Sequence, residues 1–251
     1  MQDIYIGDEG KGFPLVLVHG FLGSSKMWKP QIDFFKDHFR VITPDLPGFG
    51  KSNKAKSYRS IQSISNFLLD CLKEKKIDKF HLLGHSMGGM IAQEMSKSDG
   101  NKISKLVCYS TGAIGEMPGR FETVDESRKN LKKNGLEISV RNIAKTWFVK
   151  GENAKYFSVC IEAGKQSSIE AANNSLVAFK NWNGVDSLKN IRNKTLIIWG
   201  NKDRSYKLEQ VNILKKNIKN SKLKIFKNCA HNVHLEQSDL FNKTIKNFLL
   251  F

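Results

Sequence analysis

The sequence predicts an α/β protein built on a mostly parallel, doubly wound sheet, and three observations lead there. Short apolar runs end in glycine or another turn residue, helical patterns alternate with them, and within each run the apolar residues are continuous. Continuous apolarity belongs to strands covered on both faces, as parallel strands are when helices pack above and below. Strand alternating with helix then implies right-handed crossovers.

Taken in order, the strand-like runs are "LVLVHG" at 15–20, "RVITPDLPG" at 40–48, "FHLLGHS" at 80–86, "KLVCYST" at 105–111, "TLIIWG" at 195–200 and "LKIFKNC" at 223–229. Between them, Ile61, Ile64, Leu68 and Leu72 repeat at helical spacing, as do Met90, Ile91 and Met95, then Val211 and Leu214, then Leu240, Phe241 and Phe248. From about Gly112 to Gly184 the alternation stops, and only helical stretches remain around "SVRNIAKTWFVKG", "YFSVCIEAGK" and "SIEAANNSLVAFKNW". A helical insertion at 112–184 between two strands accounts for this, with 1–111 and 185–251 forming the sheet domain.

Composition sets limits on function. With 251 residues, 40% hydrophobic, the chain is long enough to bury a full core. No apolar run is long enough to span a bilayer, and "MQDIYIGDEGKG" has neither a basic segment followed by an apolar stretch nor a cleavage site, so a cytoplasmic location is expected. Cys71, Cys108, Cys160 and Cys229 are far apart, which points to reduced, buried thiols and no metal site. The formal charge of +17 comes mostly from scattered lysines without interleaved aromatics, so a solvated surface is expected rather than nucleic-acid binding. Such a field can still draw anionic substrates toward a cleft.

The chemistry is concentrated at strand ends. "GHSMG" at 84–88 fits G-x-S-x-G between a strand and a helix, the context that lifts a serine hydroxyl out of a strained turn. A serine hydroxyl needs a histidine base, and the histidine needs a carboxylate to fix its tautomer. Asp203 in "IIWGNKDRSY" and His231 in "IFKNCAHNVHLE" each follow a strand, and the C-terminal ends of parallel strands share one edge. Ser86, Asp203 and His231 are therefore the expected catalytic residues. "LVLVHGFLGSS" ends another strand, and the backbone N–H groups of Phe21 and Met87 are the expected oxyanion hole. His234 competes with His231, and is expected to pack beside Glu236 or line the pocket. His85 is expected to point away from Ser86, and His19 to brace the oxyanion loop. Asp45, followed by Pro47, Gly48 and Gly50, reads as a turn residue. Phe21, Phe121, Trp147, Phe148 and Trp182 are candidates for an apolar substrate pocket.

These pieces, "HGFLGSSKMW", "PDLPGFGKS", "GHSMGGMIAQE", "IIWGNKD" and "CAHNVHLEQ", resemble the α/β-hydrolase superfamily over nearly the whole chain. The resemblance implies a sheet of about eight strands with 112–184 as a helical cap over the active site. "GRFETV", the "TWF" near 147 and "NWNGVDSLKNI" look most like the enol-lactonase and small-carboxylesterase branch. Ala230 stands where the family usually has glycine before its histidine. The menaquinone-pathway synthases usually carry arginine after the glycine pair, and Met90 here lowers the case for a substrate rich in carboxylates. The expected activity is cofactor-independent hydrolysis of a small ester or lactone through an acyl-enzyme. A C–C bond hydrolase or menaquinone-synthase-like lyase using the same residues, and a small-ligand receptor on the same scaffold, are the alternatives.

Overall fold

The computed structural model describes residues 2–116 and 118–251. Its strands are β1 (Ile6–Glu9), β2 (Pro14–Val18), β3 (Arg40–Pro44), β4 (Phe80–His85), β5 (Ile103–Tyr109), β6 (Lys194–Gly200) and β7 (Ser221–Phe226). They form one sheet in the order β1-β3-β2-β4-β5-β6-β7, with β1 antiparallel to β3 and every other pair parallel. The described residues thus supply seven strands where about eight were expected. Six coincide with the apolar runs. The seventh, β1, reads "IGDE" and has one large apolar residue, so no run announces it.

Helices fill both faces. They are α1 (Lys29–Phe35), α2 (Ile61–Glu74), α3 (Met87–Asp99), α4 (Val124–Ala144), α5 (Phe157–Lys165), α6 (Ile169–Lys180), α7 (Leu208–Asn217), α8 (Val233–Glu236) and α9 (Ser238–Leu250). No described helix is long and apolar enough to cross a membrane. Alternate residues of each strand enter opposite cores: on β2, Val16 and Val18 join the α2 and α3 side, whereas Leu15 and Leu17 join the α1 and α9 side. Phe241, Ile245 and Leu249 present one buried face of α9 to that second core, while Leu240 is 48% exposed on the other face. Each such buried side chain stabilises the fold by roughly 1.5–3 kcal/mol relative to exposure. Strand β7 departs from the covered pattern because it lies at the sheet edge, where Lys222 and Lys224 face solvent and Ile225 is half-exposed.

The segment from 112 to 184 holds α4, α5 and α6 and no strand among its described residues. Thr123 starts α4 with a reciprocal cap: its hydroxyl accepts the Glu126 N–H at 3.2 Å, and its own N–H donates to the Glu126 carboxylate at 2.7 Å. Gly135, at φ 75°, kinks that helix, a conformation glycine adopts without a Cβ penalty. Helix α6 reaches the sheet domain through the Ser168 N–H, which donates to the Gly48 carbonyl at 2.8 Å. Phe179 also sets its ring against Phe21, with centroids 5.5 Å apart.

The sheet order reverses between β2 and β4, the position at which crossovers leave in opposite directions and open a crevice at the strand C-termini. Close approach there excludes side chains. A Cβ on Gly88 would overlap the Val18 carbonyl oxygen, and one on Gly84 would overlap that of Gly88. Gly88→Ala is expected to lower the free energy of unfolding by about 2 kcal/mol or more, read from the urea midpoint, because backbone rather than a movable side chain stands in the way. An unchanged midpoint would contradict this packing.

Candidate active site

Strand β4 runs into helix α3 with Ser86 as the only residue between them. Ser86 adopts φ 56° and ψ −116°, a sparsely populated conformation for a residue with a Cβ, costing on the order of 1–3 kcal/mol. Hydrogen bonds hold it there: its N–H donates to the Tyr109 carbonyl at 2.9 Å, and its carbonyl accepts the Thr111 hydroxyl at 2.8 Å. The turn aims the side chain away from the sheet and places Met87 at the first position of α3, whose N–H has no partner within the helix.

Asp203 and His231 arrive from loops after β6 and β7. The His231 Nδ1 lies 2.9 Å from the Asp203 Oδ2, with both side chains buried. The other carboxylate oxygen of Asp203 accepts the N–H groups of Ser205 at 2.7 Å and Tyr206 at 3.2 Å, which fixes its rotation. A carboxylate at Nδ1 holds the proton there and leaves Nε2 as an acceptor, the form in which an imidazole takes a proton from an alcohol. Ser86 and His231 line the same cavity. The Ser86 hydroxyl lies near enough to the phenol of Tyr206 to influence it, and among the described residues its side chain forms no hydrogen bond to His231.

Gly20 lies against the serine, since a Cβ on it would stand 2.9 Å from the Ser86 Cβ. That contact brings the following Phe21 beside Ser86. His19 fastens the loop as expected: its Nε2 accepts the Leu46 N–H at 2.9 Å, so its Nδ1 carries the proton donated to the Gly20 carbonyl at 2.8 Å. Asp45 is a turn residue, accepting the N–H groups of Ser25 at 2.6 Å and Lys51 at 2.8 Å. Among the described residues, no group of three or more His, Cys, Asp or Glu is placed to hold a metal ion.

The cavity is small, about 30 Å³, room for roughly one or two waters. Phe21, Phe121 and Trp147 line it, together with Arg120, Phe179 and Tyr206. Phe148 and Trp182 do not. Extended backbone at Phe148 turns its ring onto Phe157, and the Trp182 indole donates to the buried Glu94 carboxylate at 3.0 Å. His234 also lies elsewhere than expected, neither beside Glu236 nor on the cavity wall. The single turn of α8 rotates it into the core, 3.0 Å from the Tyr109 hydroxyl and 4.6 Å from the Trp28 ring.

The architecture and this cavity at the switch point can be set beside known proteins. A family description of the alpha/beta hydrolase fold matches residues 14–238. The chain belongs to the α/β-hydrolase family. Among solved structures, the enol-lactonase from Burkholderia xenovorans LB400 superposes with a TM-score of 0.91 at 20% identity, over 99% of this chain and 96% of that one. An esterase from Exiguobacterium antarcticum gives 0.91 at 24% identity, over 99% and 96%. In sequence, a pimeloyl-[acyl-carrier protein] methyl ester esterase from Legionella pneumophila is 28% identical over 86% of both chains. An (E)-2-((N-methylformamido)methylene)succinate hydrolase from Acinetobacter baylyi is 28% identical over 60% of this chain, a match spanning 56% of that enzyme's length.

Two polar residues of this α/β-hydrolase cavity carry no motif. Tyr206 is buried, its ring stacked 5.7 Å from that of His231 at 7°, and burial pushes its phenol up to about 12 despite the opposing effects of the Ser86 hydroxyl and Arg120. Its place three residues beyond Asp203 is visible in the sequence; the direction of its ring is not. Arg120 comes from the segment before α4. A third residue acts outside the cavity: the Glu236 carboxylate accepts the N–H groups of Ala230 at 2.6 Å and Val149 at 2.7 Å, tying the His231 loop to the helical segment.

The hydrolase core also buries neutral histidines. Burial, reinforced by Lys105, pushes His81 down to about 4, and burial with His231 nearby pushes His234 down to about 3. Above the unfolded value near 6.5 both states are neutral and the stability is fully present; below it the unfolded chain takes up protons that the folded one refuses. Stability is therefore expected to fall from pH 6.5 toward 4, by roughly 1–2 kcal/mol for each such histidine. His81 packs between Phe13 and Phe39, so His81→Phe is expected to flatten the fall in urea midpoint between pH 7 and 5. Equal slopes in both proteins would exclude this role.

Proposed function

We propose that the protein is a cofactor-independent serine hydrolase of small carboxylic esters or lactones. One observation carries this reading: His231, paired with the buried Asp203, shares a cavity with a serine held at φ 56° between strand and helix. Rotation about its side-chain bond moves the Ser86 hydroxyl from Tyr206 toward the Nε2 of His231. His231 then takes its proton as Ser86 attacks the carbonyl, and Asp203 stabilises the imidazolium. The N–H groups of Phe21 and Met87 receive the oxyanion; each such donor is worth on the order of 3 kcal/mol of barrier. His231 next protonates the leaving group and activates water to release the acid. Residues 112–184 act as a cap, since Ile143, Trp147 and Phe179 close the cavity over Ser86.

The small cavity and the similarity to esterases and an enol-lactonase support short acyl groups. Turnover of p-nitrophenyl acetate and butyrate, together with a fluorophosphonate adduct mapped to Ser86, is the expected result. An unlabelled Ser86 in protein that still turns these esters over would reject the mechanism.

A further inference from the structure

We propose that Arg120 binds a carboxylate on the substrate, so that the natural substrate is a half-ester or lactone of a short dicarboxylic acid. This rests on the hydrolase reading of Ser86 and adds the identity of the acyl group.

Arg120 lines the cavity that holds Ser86 and His231, and it also lines a groove of about 300 Å³ beside Glu116 and Glu122. Its side chain thus stands at the wall between the two. The arginines of this chain fall into three sets. Arg40, Arg128 and Arg141 pair with Asp8, Asp125 and Glu152. Arg59, Arg192 and Arg204 are exposed to solvent. Arg120 alone is part-buried with no carboxylate within ion-pair distance among the described residues.

Its present contacts are weak for a guanidinium. One Nη donates to the Glu122 carbonyl at 3.3 Å and the Ser127 hydroxyl at 3.4 Å, and the group lies 4.7 Å over the Phe121 ring. The Glu122 carboxylate is already engaged, accepting from the Ser127 hydroxyl at 2.6 Å and the Asn130 amide at 3.0 Å. Five donors in a planar fork match a carboxylate, and a guanidinium held out of water without one is costly. Burial disfavours its charge more than Tyr206, Glu122 and Glu116 nearby favour it, and a bound carboxylate adds to the favourable side. The phenol of Tyr206 feels both this cation and the Ser86 hydroxyl, and all three residues line one cavity, so an acyl chain with its ester at Ser86 and its free acid at Arg120 runs along a single polar-lined space. A net charge of +17 also favours capture of an anion.

The test compares monomethyl succinate with dimethyl succinate, which differ by one charge, using titrant uptake at constant pH. For the half-ester, Ser86 Oγ bonds to the carbonyl carbon, methanol leaves with the proton from His231, and water then releases succinate and restores Ser86. Wild-type protein is expected to prefer the half-ester at least about tenfold in kcat/KM, with the preference falling as salt is raised. Arg120→Gln is expected to lower the ratio of the two kcat/KM values by about 10- to 100-fold, chiefly through KM, and Arg120→Lys to retain part of it. No preference in wild type, or a ratio unchanged in Arg120→Gln, overturns the assignment. If Arg120→Gln does not fold, the salt dependence of wild type and the Arg120→Lys ratio decide in the same way. Dimethyl succinate turned over by Ser86→Ala would instead bring down the serine mechanism, a failure distinct from that of Arg120.

Discussion

Ser86→Ala is expected to lower kcat for p-nitrophenyl acetate by at least about 10⁴-fold while leaving the urea midpoint unchanged or raised. On the proposed mechanism the hydroxyl forms the acyl-enzyme, and no other described residue lining the cavity offers a comparable nucleophile beside the base. Ser205 also lines it, but it lies in the loop after β6, its backbone N–H held by the Asp203 carboxylate, and not on the strained turn between strand and helix. The residual rate reports the oxyanion site and binding alone. Pairing Ser86→Ala with His231→Ala is expected to cost little more than either alone, because residues acting in one proton transfer are lost together. Multiplying losses would mean that the two serve separate steps. Near-normal turnover in Ser86→Ala would remove the nucleophile altogether.

Asp203→Asn is expected to reduce kcat by about 10⁴-fold with little change in fold. Asp203 Oδ1 accepts two N–H groups, from Ser205 and Tyr206, so an asparagine keeps its carbonyl oxygen there and turns its amide toward His231. An amide N–H facing Nδ1 makes that nitrogen the acceptor and moves the ring proton to Nε2. The histidine then meets the Ser86 hydroxyl with a donor and accepts no proton from it. Single-turnover labelling by a fluorophosphonate is expected to slow in parallel. Labelling at the wild-type rate would show that the carboxylate does not set the tautomer.

The distribution of what was readable follows from the physics of each element. Strands β2 to β6 announced themselves because burial on both faces demands unbroken apolar runs. That same rule put Ser86, Asp203 and His231 on one edge, since parallel strands finish on the same side. Strand β1 escaped because an antiparallel edge needs backbone pairing and little apolar surface. Side-chain direction was the harder quantity. Trp147 and Trp182 read alike as aromatics of the helical region, yet one faces the cavity and the other donates to Glu94, a carboxylate 88 residues away. Arg120 and Tyr206 lie on irregular backbone, where no periodicity says which way a side chain turns. His234 shows the opposite case: one turn of helix settles its direction, but a four-residue helix leaves no pattern to detect it by.

The roughly 30 Å³ beside Ser86 has room for about two waters, so the walls stand close around any ester considered for it. On the proposed reading, Trp147, Phe179 and the Arg120 segment form a roof that shifts as reactant enters and product leaves. Breathing of that chamber then sets a ceiling on throughput that no sharpening of the nucleophile can raise, and the same closure keeps bulk solvent from the acylated serine until the alcohol has gone.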